Sequence, residues 1–206
     1  MSAPSDQELW RRAAAGDGDA FGALYDRHAR AIYNYCFRRT ADWAAAEDLT
    51  SLVFLEAWRK RTEVRFTGEG GVLGWLYGVA NNVLRNHERA SRRLLRFVSR
   101  AATWRGELPA ADAEERVLEE ERMRAILEMV KRLPRAERDV LAICVLGGAS
   151  YADAALALGI PHGTMRSRLF DARRRLRELL AAAGHGVTED DEDVRVRAPG
   201  APRASA

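Results

Sequence analysis

Apolar residues recur along this chain at steps of three and four over long stretches, and no useful length alternates by two. That period belongs to amphipathic helices. It predicts a short helix over residues 5–15, capped by Ser5 or Asp6, and a break at Gly16-Asp17-Gly18. A second helix runs from Asp19 to Arg39 with Phe21, Leu24, Tyr25, Ile32, Tyr35 and Cys36 on its apolar face. Thr40 to Asp42 form a joint, and a third helix starts at Ala41 or Trp43 and reaches Arg61. Residues 62–71 read as a loop ending in glycines, and Val72 to Phe97 as a helix that is apolar at first and basic at its end. Residues 98–113 have weak periodicity and read as a linker or frayed helix. A helix from Glu114 to Arg132 follows, its acidic first half suiting the positive end of the helix dipole. Leu133-Pro134 ends it, because a residue before proline avoids the helical region. Arg135 to Leu146 is the next helix, stopped by Gly147-Gly148. The expected class is all-α: two helical domains joined by a flexible linker. The boundaries fall at 1–97, 98–113, 114–183 and a disordered tail, 184–206.

The segment Ser150 to Leu180 carries the most information. Tyr151 to Leu158 is Ala-rich and favours helix. Gly159 can supply the left-handed residue that stops it, and Pro161 stands where a following helix would start. That spacing is a helix-turn-helix, whose second helix enters the DNA major groove. In this second helix Met165, Leu169, Ala172, Leu176 and Leu179 form one buried stripe. Arg166, Phe170, Arg173 and Arg177 recur on another face. Arginine there can fork onto guanine or clamp phosphate, and phenylalanine can meet a thymine methyl. The bland alternative is a solvated basic face on a surface helix.

Two earlier stretches carry weaker signals. In EDLTSLVFLEAW, residues 47–58, Leu49, Leu52 and Val53 are expected to pack inward. Asp48, Ser51, Leu55 and Glu56 cannot all share that face, which leaves mixed apolar and acidic surface outside. Such a surface suits a protein partner, and equally the solvated side of a bundle helix. Farther on, Trp75, Asn81 and Asn82 precede Arg85, Asn86, His87, Arg89, Arg92 and Arg93. Aromatics beside amides and arginines can stack on and hydrogen-bond to unstacked bases. Trp75 also fits a core position, and Asn82 a satisfied interior amide.

Charge sharpens this. The 206 residues are 31% charged with a net charge of +3, a balance that hides segregation. Arginines crowd residues 85–105 and 166–177, and acids crowd 112–121 and 189–193. Two separate basic patches point to two contacts with a polyanion. Cys36 and Cys144 lie in apolar patterns without metal-ligand spacing, so buried thiols in a reducing cytoplasm are expected. The N-terminal stretch lacks a signal-peptide core, and the longest apolar run, Val140 to Leu146, is too short to span a bilayer. The expectation is a cytoplasmic protein without membrane contact. None of His28, His87, His162 and His185 has a Glu three residues upstream, and no P-loop or nucleophile elbow occurs. The reading therefore contains no catalytic residue, no metal and no cofactor.

The order of motifs completes the picture: FGALYDRHARAIYNYCFRR, AEDLTSLVFLEAW, GWLYGVANNVLRNHERASRR, and then LPRAERDVLAICVLGGASYADAALALGIPHGTMRSRLFDARRRLRELL. The chain resembles the bacterial extracytoplasmic-function sigma factors, small two-domain initiation subunits of RNA polymerase. The resemblance implies that Asp48, Ser51, Leu52, Leu55 and Glu56 dock on the clamp helices of the polymerase β′ subunit, with the β flap as a further contact. It implies that the helix holding Trp75, Asn82, Arg85, Asn86 and Arg89 reads the −10 element and captures a flipped base. The −35 element falls to Arg166, Ser167, Arg168, Phe170 and Arg173. It also admits an anti-sigma protein that holds the two domains closed, or control by the acidic tail.

The sequence departs from the family in places. Gln is frequent where Ser51 stands, and a polar residue where Leu52 stands. Asp171 replaces a basic residue and would repel phosphate; Ala154 replaces a larger aliphatic and would loosen the helix-turn-helix core. The two promoter elements lie roughly 60–70 Å apart along B-DNA. A linker of about 16 residues spans at most roughly 55 Å, so with the domains' own widths both are reachable at once. The rival function is a stand-alone helix-turn-helix regulator, which would not co-migrate with polymerase.

Overall fold

Caps and joints set the helix ends in the computed structural model, which describes residues 3–66, 71–98 and 113–182. Of the expected linker only the ends are described, each as a helix terminus. Residues 67–70 of the expected loop and the tail 184–206 lie outside the described residues.

Helix α1 (Asp6–Ala14) starts at Ser5, whose Oγ accepts the Glu8 N–H at 3.3 Å. Helix α2 (Gly18–Thr40) starts one residue earlier than its periodicity suggests, because Asp17 caps it by accepting the Ala20 N–H at 3.0 Å. At its end Ala41 adopts a left-handed conformation, φ 51°, and Asp42 at once caps α3 (Trp43–Lys60) by accepting from Ala45 at 2.9 Å. The adjacent stop and start turn the chain within two residues. With the first part of α4 (Val72–Val98) these helices enclose Leu24, Ile32, Tyr35, Leu49, Val53, Val72, Leu76 and Leu84, each 2% exposed or less. Tyr25, expected on the apolar face of α2, is 43% exposed. It sits one residue past Leu24, a turn of about 100° away from the core, and lays its ring edge on Phe54 at 4.7 Å.

The second unit comprises α5 (Ala113–Val130), α6 (Arg135–Leu141), a π-helical turn (Ala142–Leu146), α7 (Tyr151–Leu158) and α8 (His162–Ala182). The periodicity predicts one helix from Arg135 to Leu146; the structure widens its last turn, with the Gly147 N–H reaching back to Ala142 O at 2.8 Å. In that turn Val145 points outward at 40% exposure, while Ile143 and Cys144 stay inside. Ser150 caps α7 by accepting the Asp153 N–H at 3.1 Å. Gly159, at φ 62°, ends α7 as the left-handed stop expected of it. Pro161 stands just outside α8, its carbonyl accepting the Met165 N–H at 3.0 Å. α6, α7 and α8 pack together, and the two units meet where α7 lies along α4 and the π-turn lies on α2. No described helix is long and apolar enough to cross a membrane.

Cys36 and Cys144 are both free and buried. Burial pushes the thiols up, to about 12 for Cys36 and about 11 for Cys144. Both therefore stay protonated near neutral pH and lack the thiolate nucleophile. At about pH 8, near the ordinary thiol range, a thiol reagent should leave both untouched in the folded chain yet titrate both in denaturant. Reaction at the denatured rate in the folded chain would contradict the burial.

Candidate nucleic-acid interface

The stripe of α8 expected in the core is inside: Met165, Leu169 and Ala172 are buried, and Leu176 and Leu179 half-buried. The opposite face carries Arg166, Ser167, Phe170 and Arg177, all exposed, with Arg168 and Arg173 half-exposed beside them. Phe170 is 65% exposed, too much apolar surface for a residue whose only task is packing.

Ion pairing divides the arginines of this helix. Arg174 lies 3.6 Å from Asp171 and 3.4 Å from Glu178, and Arg175 lies 3.2 Å from Glu137. Among the described residues no carboxylate comes within 4.0 Å of Arg166, Arg168, Arg173 or Arg177. The paired arginines belong to the protein's own structure, and the unpaired ones are available to an outside anion. Asp171, expected to repel phosphate, is offset by Arg174. Ala154 is fully buried despite its small size.

On α4 the residues Asn82, Asn86 and Arg89 are exposed and follow one another by four and three, so they share a face with Trp75. Trp75 is half-buried and makes edge contacts with Trp10 at 5.0 Å and Phe66 at 6.2 Å, so its ring closes an aromatic cluster at the start of α4. Asn82 is a surface amide; the interior amide is its neighbour Asn81, 2% exposed, whose Oδ1 accepts from Arg39 at 3.4 Å. Arg85 is turned away from this face. Its Nη2 donates to Asp139 Oδ2 at 2.6 Å, and its Nε is buried without a partner. The side chains of Arg92 and Arg93 lie outside the described residues.

The outer face of α3 carries Asp48, Ser51, Leu52 and Leu55, all exposed, with Glu56 half-exposed and held by Lys60 at 3.1 Å. The expectation of an inward Leu52 is corrected here. It is 50% exposed, and Leu55 is 55% exposed, because the inner positions are taken by Ala46, Leu49, Thr50, Val53, Phe54 and Ala57. Two outward leucines within one turn, ringed by acids, form a small apolar island.

Sequence reasoning missed the groups that tie the two units together. Tyr77 donates its hydroxyl to Gly147 O at 2.6 Å; burial, then the Asp153 carboxylate, push its phenol up to about 12, so it remains a donor. Arg38 donates to Leu146 O. Glu137 and Asp139 are both 8% exposed. The legible signal was two acids set into the apolar run RAERDVLAIC, since acids facing a core need cations. The cations that meet Asp139, Arg85 and Arg39, lie far upstream in the chain.

Set against known families, residues 24–94 match the model described as sigma-70 region 2, and residues 123–176 match that described as sigma-70 region 4. Together they account for more than half of the chain. Among curated proteins the chain is 36% identical over 179 residues to an ECF RNA polymerase sigma factor, BldN of Streptomyces coelicolor, covering 84% of this chain and 65% of that protein. It is 27% identical over 175 residues to SigK of Mycobacterium ulcerans, covering 85% of this chain and 93% of the relative. Among solved structures, CnrH in complex with the cytosolic domain of CnrY aligns with a TM-score of 0.61 at 22% identity, over 86% of this chain and 97% of that one. The sigma factor RpoE in complex with the anti-sigma factor NepR from Bartonella quintana aligns with 0.55 at 21%, over 78% and 96%. These two likenesses establish the fold.

The division among the α8 arginines has a measurable consequence. Replacing Arg173 or Arg177 by Ala should lower the salt slope of duplex-DNA binding by about 0.9 for each phosphate no longer neutralised. Arg174→Ala should leave the slope unchanged. Fluorescence anisotropy across a salt series measures both, and equal slopes for all three variants would contradict the division.

Proposed function

The chain belongs to the sigma-70 family, in its extracytoplasmic-function group, and we propose that it brings an RNA polymerase core to promoters by reading two DNA elements while docked on the polymerase. It acts in the cytoplasm by binding alone, with no covalent step of its own. The observation that carries the reading is the outward face of α8, where Phe170 and arginines that meet no carboxylate among the described residues stand on the second helix of a helix-turn-helix.

The assigned roles follow the three surfaces. Arg166, Ser167, Arg168, Phe170 and Arg173 take the −35 element: the arginines supply forked donors to guanine or phosphate, and the phenyl ring an apolar contact. Asn82, Asn86 and Arg89 line an exposed polar face suited to unstacked bases and backbone of the −10 element. Trp75, half-buried against Trp10, supplies a rigid edge to that face, and Arg85 joins it when released from Asp139. The island of Leu52 and Leu55, flanked by Asp48, Ser51 and Glu56, is the surface for the polymerase core. The tertiary surroundings of Leu52 support this more strongly than its sequence did, since a leucine on a helix exterior gains from a partner that covers it. An anti-sigma protein is the class of regulator we assign to it.

The surfaces should fail separately. Arg166→Ala should weaken −35-dependent initiation by about 5- to 150-fold, the effect of removing one forked base contact of about 1–3 kcal/mol, while core polymerase still co-purifies with the variant. Leu55→Asp should do the reverse, reducing co-purification and leaving duplex-DNA binding by the free chain intact. Purified run-off transcription and affinity capture of core polymerase read the two outcomes. A wild-type chain that neither captures core polymerase nor supports run-off would end this reading in favour of a free regulator.

A further inference from the structure

We infer that the cavity walled by α2, α4, α5, α6 and the π-turn is a binding site for a small phosphate monoester, separate from the three surfaces assigned above. The site rests on its own walls and not on the promoter reading; Arg85 alone is shared with those surfaces.

The walls carry more positive charge than they balance. The cavity measures about 90 Å³. An enclosed water needs roughly 10–15 Å³, so a phosphoryl group fits. Five cations line it, Arg39, Arg85, Lys131, Arg135 and Arg138, against two carboxylates, Glu88 and Asp139. Both carboxylates are already met: Asp139 lies 2.6 Å from Arg85 and 3.9 Å from Arg39, and Glu88 lies 3.0 Å from Arg39. Lys131 is held by Glu128, which is not part of the wall. Arg135 and Arg138 are surplus, since among the described residues no carboxylate comes within 4.0 Å of either.

The fold gives no reason for that surplus. Arg135 is the first residue of α6, the end at which a helix dipole disfavours a cation. Arg138 is half-buried and lines the same cavity as two other guanidiniums. Like charges gathered there repel one another. A lysine can relieve such repulsion by shedding its proton, whereas an arginine cannot. An anion among the side chains relieves it instead.

Donor geometry and the apolar wall narrow the class of anion. Guanidinium forks match phosphate oxygens in pairs. Arg85 also keeps a buried Nε without a partner, a donor that costs free energy until it is bonded. Leu127, Val130, Ala142 and Leu146 form the apolar side of the cavity; Val130 and Ala142 are buried and the two leucines half-buried. A free ion gains nothing from that side, while an ester with a small apolar body removes surface from water there. Walls drawn from four helices and a turn enclose one phosphoryl group and leave no room for the phosphate row of a duplex.

The test titrates the full chain by calorimetry with phenyl phosphate and, separately, with inorganic phosphate at the same pH and ionic strength. Phenyl phosphate should bind one site per chain, about fivefold more tightly than inorganic phosphate, the effect of removing roughly 40 Å² of apolar surface from water. Arg135→Gln and Arg138→Gln should each weaken phenyl phosphate about tenfold, the loss of one charge-assisted contact. Arg132→Gln removes the same charge from an exposed position off the cavity and should change nothing. Thermal melting separates binding from folding. Without ligand, Arg138→Gln should melt at or above the wild-type midpoint, because a surplus cation is gone. Near-saturating phenyl phosphate should then raise the wild-type midpoint and leave that of Arg138→Gln nearly where it was. No binding by the wild type, an equal loss in Arg132→Gln, or a lower midpoint with unchanged affinity in Arg138→Gln overturns the inference. Equal affinity for the two probes assigns the cavity to the free ion and overturns the ester. An Arg138→Gln chain that loses duplex-DNA affinity yet keeps phenyl phosphate places Arg138 on the DNA surface, which also overturns it. Run-off by the wild-type chain reports the family function separately, and its failure would leave these titrations standing.

Discussion

A carboxylate withdrawn from water must be met by cations, and Asp139 meets two. It is 8% exposed, 2.6 Å from Arg85 and 3.9 Å from Arg39. The two arginines come from α4 and α2, so one side chain on α6 fixes how three helices face one another. Arg39 is engaged further by Glu88 at 3.0 Å and by Asn81. Burial by itself would lower the Arg39 pKa; Tyr35, Glu88 and Asp139 outweigh it and raise the guanidinium above its ordinary value. Such clusters contribute little net stability, because desolvation consumes most of the attraction. Their effect lies in the penalty for the wrong arrangement: a buried charge stripped of its partner costs about 3–5 kcal/mol. Asp139 therefore selects which faces meet more than how tightly they hold.

That selection explains what could be read from the sequence. The helix-turn-helix was legible because its determinants are local: a serine cap, a left-handed glycine, a proline at the turn and a stripe repeating by three and four. The outward arginines of α8 were legible for the same reason. Leu52 was misplaced because Leu49, Leu52 and Val53 compete for one narrow inner arc, and hydrophobicity alone does not say which loses. Neither Asp139 nor Tyr77 could be assigned, since their partners are far away in the chain. Arg85 read correctly as a cation on a basic helix, yet its orientation is decided by an acid 54 residues downstream. The π-turn was invisible too, because widening a helix by one residue leaves its composition unchanged.

Arginine accordingly appears here in two conditions. On α8 it is either tied to acids of the same unit, as Arg174 and Arg175 are, or left without a carboxylate, as Arg166, Arg168, Arg173 and Arg177 are among the described residues. Arg85 belongs to a third kind, paired with an acid of the other unit. Its unpartnered Nε shows that this pairing leaves part of the fork unused. A phosphate or base edge could engage donors that Asp139 does not reach.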